Sequence, residues 1–384
     1  MSSSSNLNGA KDKPLFTPGP LTTSLSVKQA MLRDLGSRDT EFIQLVQEIR
    51  DELLAVAEVR DSGEYECVLL QGSGTFGIEA VLTCAIPRDG KWLILVNGSY
   101  GKRMCTIADV HGIEYTSKVR PENEAFTAEE VEQLLNDDPQ ITAVAIVHCE
   151  TTTGIFNPIQ EIGQLVHRQG KRFFVDSMSA FGATTFDFAA CEIDYLVSSA
   201  NKCIEGVPGL SFCIARKAPL EETAGWSRTL SFDLHAQWKG LEGNGQFRFT
   251  PPTHTMLAFR QALRELEQEG GVQGREARYQ ANYQCLLNGM SRMGFECYLP
   301  VDQRGHIITS FLYPEDDNFC FETFYNKLND RGYVIYPGKV SNADSFRIGN
   351  IGRVFEADVR ALLNEIQNVL GEMNVAMPAA LSAN

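Results

Sequence analysis

KRFFVDSMSAFG (171–182) and DYLVSSANKCIEGVPG (194–209) are the two stretches that decide the fold. Each begins with a short apolar run that is typical of a buried β-strand, and each run passes into polar residues. Asp176 ends the first run, and Lys202 closes the turn after the second. Parallel α/β sheets bind ligands at the carboxyl ends of their strands, so this pattern predicts a site that contains both residues.

Further strands and helices alternate around these stretches, which predicts an α/β fold with a mostly parallel sheet covered on both faces. The predicted strands are ECVLLQ (66–71), WLILV (92–96), AVAIVH (143–148) and LSFCIA (210–215). The helices predicted before and between them are residues 25–58, GIEAVLTCAI (77–86), TAEEVEQLL (127–135) and PIQEIGQLVHRQG (158–170).

A different pattern follows a predicted helix over residues 254–270. Short strands HIITSFLY, GYVIYPG and SFRIGN combine with helices FCFETFYNKLNDRG and EADVRALLNEIQNVLGEM, which predicts a smaller α/β domain. We therefore expect a flexible N-terminal tail (1–13), a large domain (14–272), a small C-terminal domain (273–376) and a loose tail (377–384).

The composition excludes several classes of protein. A net charge of −15 over 384 residues disfavours binding to nucleic acid or to an anionic membrane surface. The ten cysteines form no C-x-x-C pair, so we expect no metal site. We find no secretory segment and no apolar run of membrane-spanning length, and we expect a cytoplasmic protein.

The residues Ser73-Gly74-Thr75 lie between a predicted strand and a predicted helix. Small residues at a helix N-terminus expose backbone N–H groups that can bind a phosphate, although a plain tight turn has the same composition. Gly72, Gly74 and Gly77 also match a dinucleotide fingerprint, which leaves a nicotinamide-dependent oxidoreductase as an alternative. That fingerprint requires an acid for the ribose, but the next strand ends at Asn97.

Three other side chains could carry chemistry, and each also has a structural interpretation. Asp176 could pair with a protonated pyridine nitrogen or could cap a helix. Lys202 lies between an apolar strand and a Gly/Pro-rich turn, where desolvation would make its amine a nucleophile and a base, although most lysines are solvated. Arg347, flanked by Phe346 and Ile348, could bind a substrate anion or form a structural ion pair.

The ordered set of motifs resembles the class V aminotransferases of pyridoxal-phosphate fold type I. The resemblance covers residues 14 to 372 and is carried by TPGP (17–20), GSGT (72–75), NGSYG (97–101), ETTTG (150–154), VDSMSAFG (175–182), SSANKCIEGVPG (198–209), FTPPTH (249–254) and FRIGNIG (346–352). It implies pyridoxal 5'-phosphate as the cofactor, a seven-stranded sheet in the large domain, and a homodimer with shared active sites.

The resemblance also implies a role for each matching residue. Lys202 would hold the cofactor as a Schiff base, and Asp176 would pair with its ring nitrogen. The cofactor would further contact Ser73, Gly74 and Thr75 at its phosphate, Tyr100 at its ring face and Thr151 at its oxygen side. Thr250 would reach the phosphate in the neighbouring subunit. Arg347 and the backbone of Pro18 and Gly19 would contact the substrates.

Within this family the chain most resembles members that move the amino group of 2-aminoethylphosphonate to pyruvate in phosphonate catabolism. An alanine–glyoxylate or serine–glyoxylate aminotransferase on the same fold is the alternative. A desulfurase is disfavoured because Cys320 falls within a helical pattern. Related enzymes often carry Gln before the Schiff-base lysine, where this chain has Asn201, and we assign no role to Arg38, Arg103 or Cys203.

Overall fold

A computed structural model describes residues 12–376 and residue 378. Most of both predicted tails, residues 1–11, 377 and 379–384, therefore lies outside the described residues. The strands are β1 (Tyr65–Gln71), β2 (Lys91–Val96), β3 (Glu114–Val119), β4 (Ile141–Val147), β5 (Cys149–Glu150), β6 (Ile155–Phe156), β7 (Arg172–Asp176), β8 (Tyr195–Ser199), β9 (Leu210–Arg216), β10 (Ile308–Leu312), β11 (Tyr336–Pro337) and β12 (Ser345–Gly349).

The helices include most of the predicted helical segments and four that the sequence pattern did not predict. They are α1 (Leu25–Gln29), α2 (Thr40–Val56), α3 (Gly74–Cys84), α4 (Ser99–His111), α5 (Ala128–Asp137), α6 (Ile159–Arg168), α7 (Lys217–Glu222), α8 (Leu234–Asn244), α9 (Thr253–Gln268), α10 (Gly271–Arg292), α11 (Phe321–Asp330) and α12 (Glu356–Glu372). Within the described residues, no helix combines the length and apolar character needed to cross a membrane.

The large sheet has seven strands in the order β1-β9-β8-β7-β4-β2-β3. Its central pairs are parallel, and β9 runs antiparallel to both β1 and β8. The prediction of a mostly parallel, seven-stranded α/β sheet is therefore confirmed. Strands β4, β7 and β8 are buried almost throughout because helices cover both faces, which explains their continuous apolar sequences.

A second, smaller sheet has the order β10-β12-β11, and its side chains form a separate apolar cluster with α11 and α12. Phe16 belongs to this cluster, and its backbone N–H donates to the Val334 carbonyl at 2.8 Å. The N-terminal segment thus packs against the small sheet before the chain enters the large one. The division of the chain at residues 272 and 273 falls within α10 and stays a prediction.

The single helix expected over residues 25–58 is wrong. The structure has α1 and α2 in its place, with a turn between them that contains Gly36. Asp39 caps α2 by accepting a hydrogen bond from the Glu41 backbone N–H at 2.8 Å. A side chain that satisfies the first free amides starts a new helix at that point, so periodicity alone overestimated the length.

Two helical glycines provide a test of the packing. A Cβ atom on Gly163 in α6 would lie 1.9 Å from the Cys191 carbonyl oxygen, whereas a Cβ atom on Gly371 in α12 would meet nothing within 4 Å. We expect Gly163→Ala to lower the free energy of unfolding by about 1–3 kcal/mol through overpacking. Gly371→Ala should raise it by up to about 1 kcal/mol, since alanine favours a helix.

Urea unfolding at equilibrium measures both effects as shifts of the midpoint at constant m-value. Equal midpoints for the two variants would contradict the close approach of α6 to the segment that carries Cys191.

Candidate active site

A cavity of about 170 Å³ lies at the carboxyl ends of the central strands. It brings together strand-end residues that are far apart in the sequence. Its lining comprises Ser73, Gly74, Thr75, Ile78, Tyr100, Arg103, Asp176, Met178, Ser199, Asn201 and Lys202. Six of the residues singled out from the sequence are therefore neighbours here, namely Ser73, Gly74, Thr75, Tyr100, Asp176 and Lys202.

Lys202 is held at the base of this cavity by the N-terminal segment. Its Nζ donates a hydrogen bond to the Pro18 carbonyl oxygen at 2.6 Å. Gly19 has a φ of +118°, and a Cβ atom there would lie 2.7 Å from Nζ, so only glycine lets the backbone come this close. Burial lowers the pKa of the Lys202 ammonium, although Tyr100 and other neighbouring groups oppose the shift. A neutral amine is the nucleophilic form.

Asp176 is the last residue of β7 and is 5% exposed. Its Oδ1 accepts a hydrogen bond from the Met178 backbone N–H at 3.0 Å. Burial raises the pKa of this carboxyl to about 7, and nearby Glu150 raises it further, while Lys202 and Arg103 act in the opposite direction. A cation placed against Asp176 would lower this pKa again, so the site favours a positively charged partner.

The N-terminus of α3 forms one wall of the cavity. Ser73 is the N-cap residue, but its side chain makes no capping hydrogen bond, so its hydroxyl is available to a ligand. Thr75 Oγ1 accepts a hydrogen bond from Arg103 Nη1 at 3.0 Å. Gly74 packs so closely on Met178 that a Cβ atom would lie 2.3 Å from its sulfur. Free amides, hydroxyls and a guanidinium at a helix N-terminus are suited to a phosphate.

Several cations surround the ring of Tyr100. The Lys339 Nζ lies 4.3 Å and the Arg103 guanidinium carbon 4.9 Å from the ring centroid. Burial opposes ionisation of the Tyr100 hydroxyl, but the charge of Lys202, the Thr151 side chain and the charge of Lys339 together outweigh burial and lower the pKa of this hydroxyl. The surroundings of Tyr100 are thus rich in cations, in spite of the net negative charge of the whole chain.

Arg347 lies on β12 and is 3% exposed. Its Nε donates to the Pro337 carbonyl at 3.0 Å, and its Nη1 donates to the Thr151 carbonyl at 2.6 Å. Among the described residues no carboxylate lies within 4.0 Å of Arg347 or of Lys339, so neither makes the structural ion pair that would neutralise it. Sequence reasoning missed Lys339, because it lies in an irregular turn between β11 and β12 with no periodic pattern.

Glu150 is fully buried and connects the elements of the site. Its Oε2 accepts hydrogen bonds from the backbone N–H groups of Tyr100 at 3.0 Å and Gly101 at 3.4 Å. Its Oε1 accepts from the Thr152 backbone N–H at 3.1 Å and from the Thr152 hydroxyl at 2.6 Å. The carboxylate therefore fixes the N-terminus of α4 and the position of Tyr100. The sequence showed Glu150 only as a member of the ETTTG motif.

Two sequence-predicted residues lie outside this group. Thr250 is exposed, and its carbonyl accepts a hydrogen bond from Gln71 Nε2 at 3.3 Å. Its expected contact with a neighbouring subunit stays a prediction. Cys320 is exposed and precedes α11 as its N-cap residue, so its placement inside the helix was wrong.

Comparisons with known proteins agree with this geometry. The family model described as "Aminotransferase class-V" matches residues 23–339. A protein of Klebsiella pneumoniae named 2-aminoethylphosphonate--pyruvate transaminase is 51% identical over 358 residues, which cover 93% of this chain and 97% of the relative. A relative with the same name from Salmonella typhimurium is 50% identical with the same coverage.

Solved structures show the same fold. Ureidoglycine-glyoxylate aminotransferase from Bacillus subtilis superposes with a TM-score of 0.87 at 21% identity and covers 96% of each chain. Alanine--glyoxylate aminotransferase from Nostoc sp. gives a TM-score of 0.86 at 25% identity, covering 94% of this chain and 96% of the other.

The network around Glu150 generates a prediction. In Glu150→Gln an amide nitrogen must face backbone N–H donors whichever way the side chain is turned. We expect the variant to lose about 1–3 kcal/mol of stability, because buried donors are left without an acceptor. Glu124→Gln, on an exposed side chain, is the matched control and should unfold as the wild type does. Equal urea midpoints for the two variants would contradict the role of Glu150.

Proposed function

The chain belongs to the class V aminotransferases, and we propose that it transfers the amino group of 2-aminoethylphosphonate to pyruvate, giving phosphonoacetaldehyde and L-alanine. Relatives about 50% identical over 93% of the chain carry the name of this reaction. One observation supports the phosphonate in particular: Arg347 and Lys339 both approach Tyr100 without an acidic partner among the described residues.

Pyridoxal phosphate is the cofactor of this family, and the residues of the cavity fit it. We propose that Ser73, Gly74 and Thr75 bind its phosphate, with Arg103 nearby, and that Asp176 pairs with its ring nitrogen. Ser199 Oγ lies buried in the same cavity without a hydrogen-bond partner in the described protein, as expected where a ligand completes the site. When bound, the cofactor supplies an aldehyde that condenses with amines and a ring that accepts negative charge.

Lys202 is the residue that we propose to move the proton. Its Nζ is buried and the pKa of its ammonium is lowered. The amine can therefore accept a proton from the carbon that bears the substrate nitrogen and deliver it to a second carbon during the transfer. The Pro18 carbonyl accepts a hydrogen bond from Nζ and thereby orients the amine. Asp176 does not take part in this proton transfer itself. We propose that its carboxylate keeps the ring nitrogen of the cofactor protonated, which makes the ring a better acceptor of negative charge.

We propose that Arg347 and Lys339 hold the anionic end of the donor. A phosphonate can carry two negative charges on three acceptor oxygens, so a second cation strengthens its binding. A carboxylate carries one charge and is matched by a single planar guanidinium. The backbone hydrogen bonds from Arg347 Nε and Nη1 fix the plane of its guanidinium. Pyruvate would use the same Arg347 through its carboxylate, and the backbone of Pro18 and Gly19 would line the pocket.

We further propose that the enzyme is a cytoplasmic homodimer with shared active sites. Thr250 is exposed next to Phe249, which is 44% exposed, so this segment is free to contact a second subunit. In that arrangement Thr250 would reach the phosphate site of the partner. Thr151, whose carbonyl accepts a hydrogen bond from Arg347, would contact the cofactor on its oxygen side.

The donor preference tests this proposal. With pyruvate as the acceptor, we expect kcat/KM for 2-aminoethylphosphonate to exceed that for L-serine by at least about a hundredfold, since two charge-assisted contacts distinguish them. Alanine formation, followed with a coupled assay, measures this preference, and donation by L-alanine is followed with glyoxylate as the acceptor.

Lys202→Ala should form no product, whereas Lys171→Ala, on a lysine bound to the Pro139 carbonyl, should be fully active. A preference for serine or alanine would overturn the substrate and leave the family unchanged.

Lys339 offers a sharper test of the same pocket. We expect Lys339→Met to raise the dissociation constant of ethylphosphonate, an unreactive analogue, about tenfold, and that of propionate much less. Lys327→Met, which removes a surface lysine paired with Glu372, is the matched control and should change neither value. Equal losses for the two anions would show that Lys339 does not recognise the second charge of the phosphonate.

A further inference from the structure

A second cavity of about 500 Å³ lies apart from the catalytic one and shares none of its lining residues. It is enclosed by the C-terminal end of α2, by the loop of residues 181–188 that follows β7, by the end of α9 and by the start of α10. Its volume is in the range of small-molecule binding sites, and nothing in the aminotransferase reaction uses it.

The wall of this cavity combines apolar and aromatic side chains with polar and charged ones. Phe181, Phe186 and Phe188 line one side, and Leu263 and Leu266 of α9 line another. Such a surface accommodates a hydrophobic body, and the faces of aromatic rings also attract cations.

Two side chains of the cavity wall each bury a polar atom that lacks a partner. Glu52 Oε2 and Thr184 Oγ1 are both buried, and neither makes a hydrogen bond within the described residues. Glu52 makes no hydrogen bond or ion pair within the described residues, so the accessible part of its carboxyl can accept an N–H group from a ligand in the cavity.

The mouth of the cavity is acidic. Glu58 and Glu267 are exposed lining residues, while Arg60, the guanidinium on the same rim, lies 3.3 Å from Asp61 and is paired with it. Arg264 and Arg260 of α9 oppose these acids by lowering the pKa of Glu52, but Arg260 is itself paired with Glu48 at 3.3 Å. The acids at the mouth therefore still favour a cation over an anion.

We propose that this cavity binds a small organic cation, a protonated amine with an aromatic or branched apolar body, whose N–H group donates to Glu52. The volume, the aromatic side chains of the wall, the unpartnered Glu52 carboxyl and the acidic mouth all favour this class of ligand over an anion or a purely apolar molecule. The inference does not depend on the proposed function, because no residue of the catalytic cavity takes part.

The cavity is also connected to the catalytic residues by direct contacts. Gly182 in its wall packs against Ile204, since a Cβ atom there would lie 2.4 Å from the Ile204 side chain. Ile204 is two residues after Lys202, and the segment from Asp176 to Gly182 joins the other strand end to the same wall.

A primary amine could bind at either site, so the probe must be unable to condense with an aldehyde.

Isothermal titration of the holoenzyme with N,N-dimethylphenethylamine at pH 8 tests the proposal. This tertiary amine carries one N–H donor and cannot replace Lys202. We expect one molecule to bind per chain, and we expect Glu52→Gln to weaken binding by at least about tenfold. Asp51→Asn, which alters the exposed neighbour of Glu52 on α2, is the matched control and should bind as the wild type does. Lys202→Ala should also bind normally, which separates this site from the catalytic one.

A pH profile provides a second readout. Burial raises the pKa of Glu52 to about 7, so the empty cavity holds a neutral acid at pH 6 and a carboxylate at pH 8. A cation favours the carboxylate, so affinity should fall as the pH is lowered through 7, and Glu52→Gln should remove this dependence. The charged groups that face Glu52 are Arg264, Glu48, Glu267, Arg260, Glu58 and Arg60.

The outcomes are distinct. Absence of binding, or binding that Glu52→Gln leaves unchanged, would overturn the proposal. Binding that disappears in Lys202→Ala would also overturn it by assigning the probe to the catalytic cavity. Ala55→Trp, which places an indole in the cavity, should abolish binding while the variant keeps its circular dichroism spectrum.

Discussion

The parallel pairing of β7 with β8 is the constraint on which the site depends. Asp176, the last residue of β7, pairs with Val197 of β8, so the two strands end at the same edge of the sheet. The chain then needs only the turn after Ser199 to bring Lys202 into the cavity that Asp176 lines. A buried acid and a buried amine are each costly alone, and the sheet supports both because its helices exclude water from this edge. The unusual acid–base properties of the two groups are thus consequences of the topology.

Glu150 extends this constraint to the rest of the site. Its four hydrogen bonds join the end of the β4 region to the N-terminus of α4, and so determine where Tyr100 lies. Thr151, the next residue, accepts a hydrogen bond from Arg347 of the small sheet through its carbonyl. One short segment therefore connects the cofactor side of the cavity with the side where we propose that the substrate anion binds. A rigid connection of this kind fixes the distance between the residues around the cofactor and the cations that we propose to bind the substrate.

The amino-acid sequence predicted most of the large sheet, because strands buried on both faces carry continuous apolar runs that stand out from their surroundings. Edge strand β3, with the alternating sequence EYTSKV, gave no such signal, and α10 was not recognised among its many polar residues. Within the site, Asp176 could be selected because it ends an apolar strand, and Lys202 because it lies in the turn after one. Lys339 and the contacts of Glu150 could not, since they depend on turns and on approaches between segments distant in sequence. The roles of the remaining residues came from resemblance to a family and stay predictions.

Absorbance spectroscopy of the purified holoenzyme tests the central claim most directly, because Lys202 and the bound cofactor share one chromophore. We expect a visible band that 2-aminoethylphosphonate removes and that pyruvate then restores, without the need for any coupled enzyme. A band that responds to L-alanine or L-serine but not to 2-aminoethylphosphonate would contradict the proposed donor. A protein that shows no such band even after addition of pyridoxal phosphate would contradict the assignment of Lys202 and Asp176 to the cofactor.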